Sequence, residues 1–133
     1  MTESTIIPYL AASDARAALE FYKSVFGAVV VDGEYYEMDD GRLGHVSMKI
    51  GDASLFLSDE FVELGAVSPT TAGASTVAVV IHVVDADDTY DRAVEAGATP
   101  QRPVQNQNGA RSGWFLDPWG HRWSPTSPEK PEN

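Results

Sequence analysis

The chain contains no cysteine, which excludes disulfides, thiolate metal ligands and a cysteine nucleophile together. It lacks any apolar run near the roughly 18 to 20 residues that a bilayer-spanning helix requires. Met1-Thr2-Glu3-Ser4 has neither the basic nor the apolar region of a secretory signal, so a cytoplasmic protein with no membrane partner is expected. Basic residues are scarce: nine Lys and Arg stand against twenty Asp and Glu, for a formal net charge of -11. Such a field repels phosphate backbones and anionic membranes, so nucleic acid is not expected as a partner and a small organic ligand, cationic for preference, is. Gly-x-Ser-x-Gly, Gly-x-Gly-x-x-Gly and phosphate-loop patterns are also missing, which leaves hydrolase, dehydrogenase and kinase chemistries without support.

What is present is a repeat. Gly-Ala occurs at Gly27-Ala28 and again at Gly97-Ala98, each time closing a helix-like stretch that follows a short apolar run. With 133 residues, 43% of them hydrophobic, the chain can build one compact domain and not two ordinary ones. A single domain over residues 1–126, made of two halves, is therefore expected. A unit that recurs at this size cannot bury its apolar face alone, and two copies create a shared cleft in which a ligand is sought.

The first module spans 5–58. Residues 5–10 read as a strand, with Pro8 suited to an edge or a bulge. Ser13 or Asp14 caps a helix over 15–26, where Ala18, Leu19, Tyr22, Val25 and Phe26 recur at three- and four-residue steps, and Gly27 supplies the left-handed stop. Strands are expected at 28–31, 44–50 and 53–58, with turns at Asp39-Asp40-Gly41 and Gly51-Asp52. Residues 59–75 read as a linker. The second module, 76–126, repeats the order: a β-branched run at 77–84, a cap at Asp85, a helix over 86–96, and strands at 99–104, 113–116 and 122–126. Residues 127–133 are expected to be a disordered tail.

Three segments in this order, Asp14 to Ala28 with its Phe21-Tyr22, Ala93-Val94-Glu95-Ala96-Gly97-Ala98, and Asp117-Pro118-Trp119-Gly120-His121-Arg122-Trp123, resemble the vicinal oxygen chelate superfamily, which unites glyoxalases, bleomycin-resistance proteins and dioxygenases. Its PhnB-like branch is the nearest match, and the likeness runs from about Ile6 to Thr126. The resemblance implies an α+β fold of two βαβββ modules forming a cupped, mostly antiparallel mixed sheet with helices outside. It also implies a homodimer, with the ligand held in the cup. Metal-dependent members carry His, Glu or Gln on the first and fourth strands of each module. Aligned on these motifs, the four positions are Ile7, Phe56, Ala78 and Ser124, one hydroxyl among apolar groups. A divalent ion needs roughly three or four nitrogen or carboxylate ligands, so no cofactor is expected, a divalent metal being the alternative.

Other residues carry two readings each. His82 shares a strand face with Ala78 and either contacts the ligand, shuttles a proton, or is satisfied by a neighbouring backbone or hydroxyl group. His45 opens a strand and is explained by a cross-sheet hydrogen bond, and His121 braces the Asp117 turn. Glu34, Glu37, Asp39 and Asp40 surround Tyr35, Tyr36 and Met38, as a solvated loop or as a flap whose rings stack on a flat or cationic ligand. Trp114 lines the cup if its strand parity is right, Trp123 belongs to the core and Trp119 to a dimer contact. Arg111 matches a Gly-x-Arg element of the branch, where it anchors a carboxylate or phosphonate, or else forms a salt bridge, and the aromatic residues often found in the branch are replaced by Asn108 and Ser112. The candidate ligand-binding residues are thus Ile7, Tyr9, Tyr35, Tyr36, Phe56, Ala78, His82, Arg111, Trp114 and Ser124. The expected function is metal-free binding of a small organic molecule in an apolar, aromatic cup, with drug or toxin sequestration as its concrete form. The alternative is a metal-dependent lyase, isomerase or dioxygenase that uses His82 with His45 or Glu37.

Overall fold

Asp14 turns the chain into its first helix. In the computed structural model, which describes residues 4–131, its carboxylate accepts the Ala17 N–H at 3.0 Å, and Gly27, at φ 72, ends helix α1 (Ala15–Phe26) in the left-handed conformation. Residues 1–3, on which the absence of a signal was argued, and residues 132 and 133 of the tail lie outside the described residues. The chain divides into two units, 1–68 and 69–133, at a point inside the expected linker.

In the first unit, strands β1 (Tyr9–Ala12), β2 (Val29–Glu37), β3 (Leu43–Ile50) and β4 (Ala53–Asp59) form a sheet in the order β1-β4-β3-β2. β1 and β4 run parallel and the other pairs antiparallel. Helix α1 presents Ala15, Ala18, Leu19, Phe21, Tyr22 and Val25 to the interior, where Leu10, Val46, Met48, Leu55 and Leu57 are also buried. Large apolar side chains contribute ~1.5–3 kcal/mol each when fully buried. Asp59 fixes the helix against the sheet, accepting the Ala15 N–H at 2.8 Å with one oxygen and the Leu43 N–H at 2.6 Å with the other.

The second unit repeats this plan with β5 (Ala78–His82), α3 (Ala86–Glu95), β6 (Thr99–Gln107), β7 (Ala110–Leu116) and β8 (Arg122–Pro128), in the sheet order β5-β8-β7-β6. Asp85 caps α3 by accepting the Asp88 N–H. Trp123, Phe115, Tyr90 and Ala93 are buried between helix and sheet. A 3-10 turn at Val62–Leu64 and a four-residue helix α2 at Pro69–Ala72 occupy the expected linker.

Several expectations are corrected. β1 begins after Pro8, which cannot donate to a ladder and instead accepts the Phe56 N–H through its carbonyl; Ile7 therefore precedes the strand. Residues 34–37, read as a loop or flap, belong to β2, because Gly33 at φ 78 and a register break after Val30 let the strand rejoin β3 at Tyr35. β5 stops at His82 instead of running from 77 to 84. β6 and β7 extend to a hairpin at Asn108-Gly109, both at positive φ (55 and 84), the signature of a tight two-residue turn. The tail is ordered through Pro128: Ser127 Oγ accepts the Ala86 N–H, and Lys130 bonds to Asn106, Asp85 and Asp87. Trp119, assigned to a dimer contact, is already buried within the single chain, at 8% exposure.

Candidate functional site

Each sheet has one face under its own helix and one that its helix leaves uncovered. Strand parity decides which side chains reach the second. In the first unit, Tyr9 stands opposite Phe56, Phe56 opposite Ser47, and Tyr36 opposite His45, so the five share the uncovered face. His45 is their centre. Its Nδ1 lies 2.8 Å from Tyr9 Oη and its Nε2 2.8 Å from Ser47 Oγ. A neutral imidazole donates at one nitrogen and accepts at the other, so the phenol, ring and hydroxyl form a directed chain in either tautomer. The rings of Tyr9 and His45 meet Phe56 edge to face, with centroids 5.5 and 4.8 Å away. Partial burial pushes the Tyr9 phenol above its ordinary pKa, although the residue as a whole is 54% exposed.

In the second unit, Val80 pairs with Ser124, His82 with Thr126 and Ala78 with Arg122 across β5 and β8. Ser112 pairs with Thr126 and Leu116 with Arg122 across β7 and β8, and Arg102 pairs with Trp114 across β6 and β7. These side chains occupy the uncovered face. Arg122 Cζ lies over the Trp114 ring, 4.6 Å from its centroid, and its Nε donates to Gln101 Oε1 at 3.2 Å. Arg102 Nη2 donates to Ser112 Oγ at 3.1 Å. Ser124 Oγ is spent on the Gly113 carbonyl at 2.8 Å. His82 is exposed, and its side chain makes no hydrogen bond among the described residues.

The sequence-derived candidates separate accordingly. Tyr9, Tyr36 and Phe56 are brought together on one sheet face, and Ala78, His82, Trp114 and Ser124 on the other unit's face. Ile7 stands outside its strand. Tyr35 pairs with buried Val46 and so lies on the helix side, beside Arg16. Arg111 also points to the helix side: its Nε and Nη2 hold Asp87 at 2.6 and 3.0 Å, and this pairing, only partly offset by desolvation, brings the Asp87 carboxyl down to about 2. The salt-bridge reading of Arg111 is the observed one. His45 and Ser47, Arg102 and Arg122 were missed as site residues. Arg122 was legible by its alternation with Ser124, whereas the β6 bulge on either side of Arg102 hides its parity.

The side chains at Ile7, Phe56, Ala78 and Ser124 do not fit a divalent ion, since three are hydrocarbon and the fourth is a hydroxyl already engaged. Glu37 faces Arg16 at 3.4 Å. Among the described residues no group of three His, Asp or Glu is placed to hold a metal, and no helix is long and apolar enough to cross a membrane.

Comparison with known proteins bears on this arrangement. Residues 5–124 match the family model of the Glyoxalase/Bleomycin resistance protein/Dioxygenase superfamily. The chain is 32% identical over 135 residues to Mb0911c of Mycobacterium bovis, covering 98% of this chain and 88% of that protein. Among solved structures, TioX from Micromonospora sp. ML1 aligns with a TM-score of 0.67 at 24% identity, over 98% of this chain and 100% of that one. The fosfomycin resistance protein FosX from Mesorhizobium loti aligns with a TM-score of 0.69 at 18% identity, over 97% and 95%. The two structural likenesses establish the fold.

Proposed function

The chain belongs to the Glyoxalase/Bleomycin resistance protein/Dioxygenase superfamily, and on that premise we propose that it binds a small organic molecule against the uncovered aromatic sheet faces, without a metal ion. Drug or toxin sequestration by a cytoplasmic homodimer of the PhnB-like branch is the concrete form of this reading. The observation that carries it is the pair of ring-bearing faces left open by their helices: Tyr9, Tyr36 and Phe56 in one unit, Val80 and Trp114 in the other. Val80 is 55% exposed and Tyr36 54% exposed, and such surface gains about 25 cal/mol per Å² when a ligand covers it. Stacking on the rings adds selectivity for flat molecules. The name of the FosX neighbour, a fosfomycin resistance protein, is in keeping with the handling of a small toxic molecule on this fold.

The test is metal analysis of protein purified without a histidine tag, combined with titration of tryptophan fluorescence by a ligand panel. Saturable quenching with no stoichiometric metal is expected. Stoichiometric metal that vanishes in His82→Ala would overturn the reading in favour of metal-dependent chemistry.

A further inference from the structure

The nine cationic side chains are distributed in a way that the net charge conceals. Arg16, Lys23, Arg42, Arg92, Arg111 and Lys130 each stand within 4 Å of a carboxylate. Arg102, Arg122 and Lys49 do not, among the described residues, in a chain with twenty carboxylates to choose from. Lys49 is exposed and donates to Ser54. By strand pairing both arginines belong to the uncovered face of the second sheet, Arg102 opposite Trp114 in the ladder and Arg122 with its guanidinium carbon over the Trp114 ring. Strands β5 to β8 contain no Asp or Glu at all. An acidic protein has thus kept the strands of one sheet free of negative charge, and two guanidinium groups without a carboxylate belong to that sheet: Arg122 over Trp114, and Arg102 with one terminal nitrogen buried.

The geometry of Arg122 explains what such a face can hold. The Trp114 ring lies under the guanidinium carbon and Gln101 accepts from Nε, so the side chain is held by neutral partners. Both terminal nitrogens remain unclaimed among the described residues. A planar fork with its two Nη groups free and its rotamer already set is the arrangement that binds a carboxylate or phosphonate bidentately with little loss of side-chain entropy. Arg102 supplies a second positive charge. One of its terminal nitrogens is tied to Ser112 and the other is buried with no acceptor, an uncompensated charge whose field a nearby anion would relieve.

We propose that the second unit's open face recognises the oxyanion of a small organic acid, with Arg122 as the bidentate anchor, Arg102 as a second cation and Trp114 as the platform beneath Arg122. This rests on the small-molecule reading above and reverses the preference for a cationic ligand that the net charge suggests.

Calorimetric titration of the full-length protein with four matched probes tests it: naphthoate, naphthylmethylphosphonate, neutral naphthamide and naphthylmethylammonium. Naphthoate or the phosphonate should bind at least about tenfold tighter than naphthamide, and the ammonium weakest, with affinity for the acids falling as salt rises. Arg122→Gln should weaken the acids about tenfold or more and leave naphthamide within about twofold. Arg102→Gln should act in the same direction. Arg122→Lys, which keeps the charge and loses the fork, should fall between wild type and Arg122→Gln. The stronger of the two acids identifies the oxyanion. Equal binding of all four probes, or unchanged naphthoate and phosphonate affinity in both glutamine variants, overturns the oxyanion assignment while leaving small-molecule binding intact. Failure of every probe to bind removes both.

Discussion

Asp117→Ala should be among the most damaging polar substitutions in the second unit. Asp117 is 2% exposed. One carboxylate oxygen accepts the Trp119 and His121 backbone N–H groups, both at 3.0 Å, and the other accepts Trp123 Nε1–H at 2.9 Å. Its own N–H donates to the His121 carbonyl, which closes the turn. Truncation leaves three donors without their acceptor. A buried donor so stranded costs ~1–3 kcal/mol, and bonds to a charged acceptor stand at the upper end. The His121 amide is half-buried and recovers a water, whereas the indole nitrogen of Trp123 sits in the core. A loss of about 3–5 kcal/mol is therefore expected, a large fraction of the stability of a small domain. Asp117→Asn keeps one acceptor and turns the other into a donor facing Trp123 Nε1–H, so about 2 kcal/mol is expected. Tryptophan fluorescence in urea is the assay, because Trp114, Trp119 and Trp123 all lie in the second unit. A loss below about 1 kcal/mol for Asp117→Ala would refute the claim that this carboxylate organises the turn.

Other outcomes follow from the same geometry. Asp87, held at about 2 against an ordinary 3.8 by Arg111 and secondarily by Lys130, has a depressed folded value; its contribution is present above about pH 4 and disappears as pH falls toward 2. Acid titration of stability should show this loss in the wild type and not in Asp87→Asn, the difference at neutral pH being about 1 kcal/mol because the pair is partly exposed; identical acid profiles would count against it. Gly113→Ala places a Cβ 2.9 Å from Val104 Cγ2, 3.0 Å from the Arg102 carbonyl oxygen and 3.1 Å from Tyr90 Cδ2, and should cost ~1–3 kcal/mol in the same urea assay. Tyr9→Phe removes the bond to His45 Nδ1 and retains the ring contact with Phe56; a loss of about 1 kcal/mol is expected, and circular dichroism in urea, which sees the first unit, measures it.

The repeat, both helices and their Asp caps were legible because each rests on local chemistry: a side-chain oxygen next to orphan N–H groups at one end, and for α1 a glycine able to adopt positive φ at the other. Strand extents were less legible. The apolar run at 28–31 is interrupted by Asp32, Gly33 and Glu34, but the ladder resumes beyond the bulge and carries Tyr35 and Tyr36 to opposite faces. The Asn108-Gly109 pair was a strong hairpin signal that went unused because the flanking strands are polar. The ordering of residues 127–130 was invisible in composition, because it depends on Ser127 reaching the start of α3 and on Lys130 reaching two aspartates distant in sequence.

The site shows the same limit in its charge. Arg111 drew attention because it sat in a motif, yet it is neutralised by Asp87 on the helix side. Arg122 was passed over as part of the turn sequence after Asp117. A formal net charge sums over the whole surface, but a ligand on a sheet face meets the side chains that strand parity sends there, and charges farther off than a Debye length of about 8 Å in physiological salt are largely screened. In the second sheet those side chains are two arginines, a histidine, hydroxyls and a tryptophan, with no acid among them. If the proposed oxyanion site is right, the sign of its ligand follows from the side chains that the pairing of β6, β7 and β8 places on that face, and the formal net charge does not decide it.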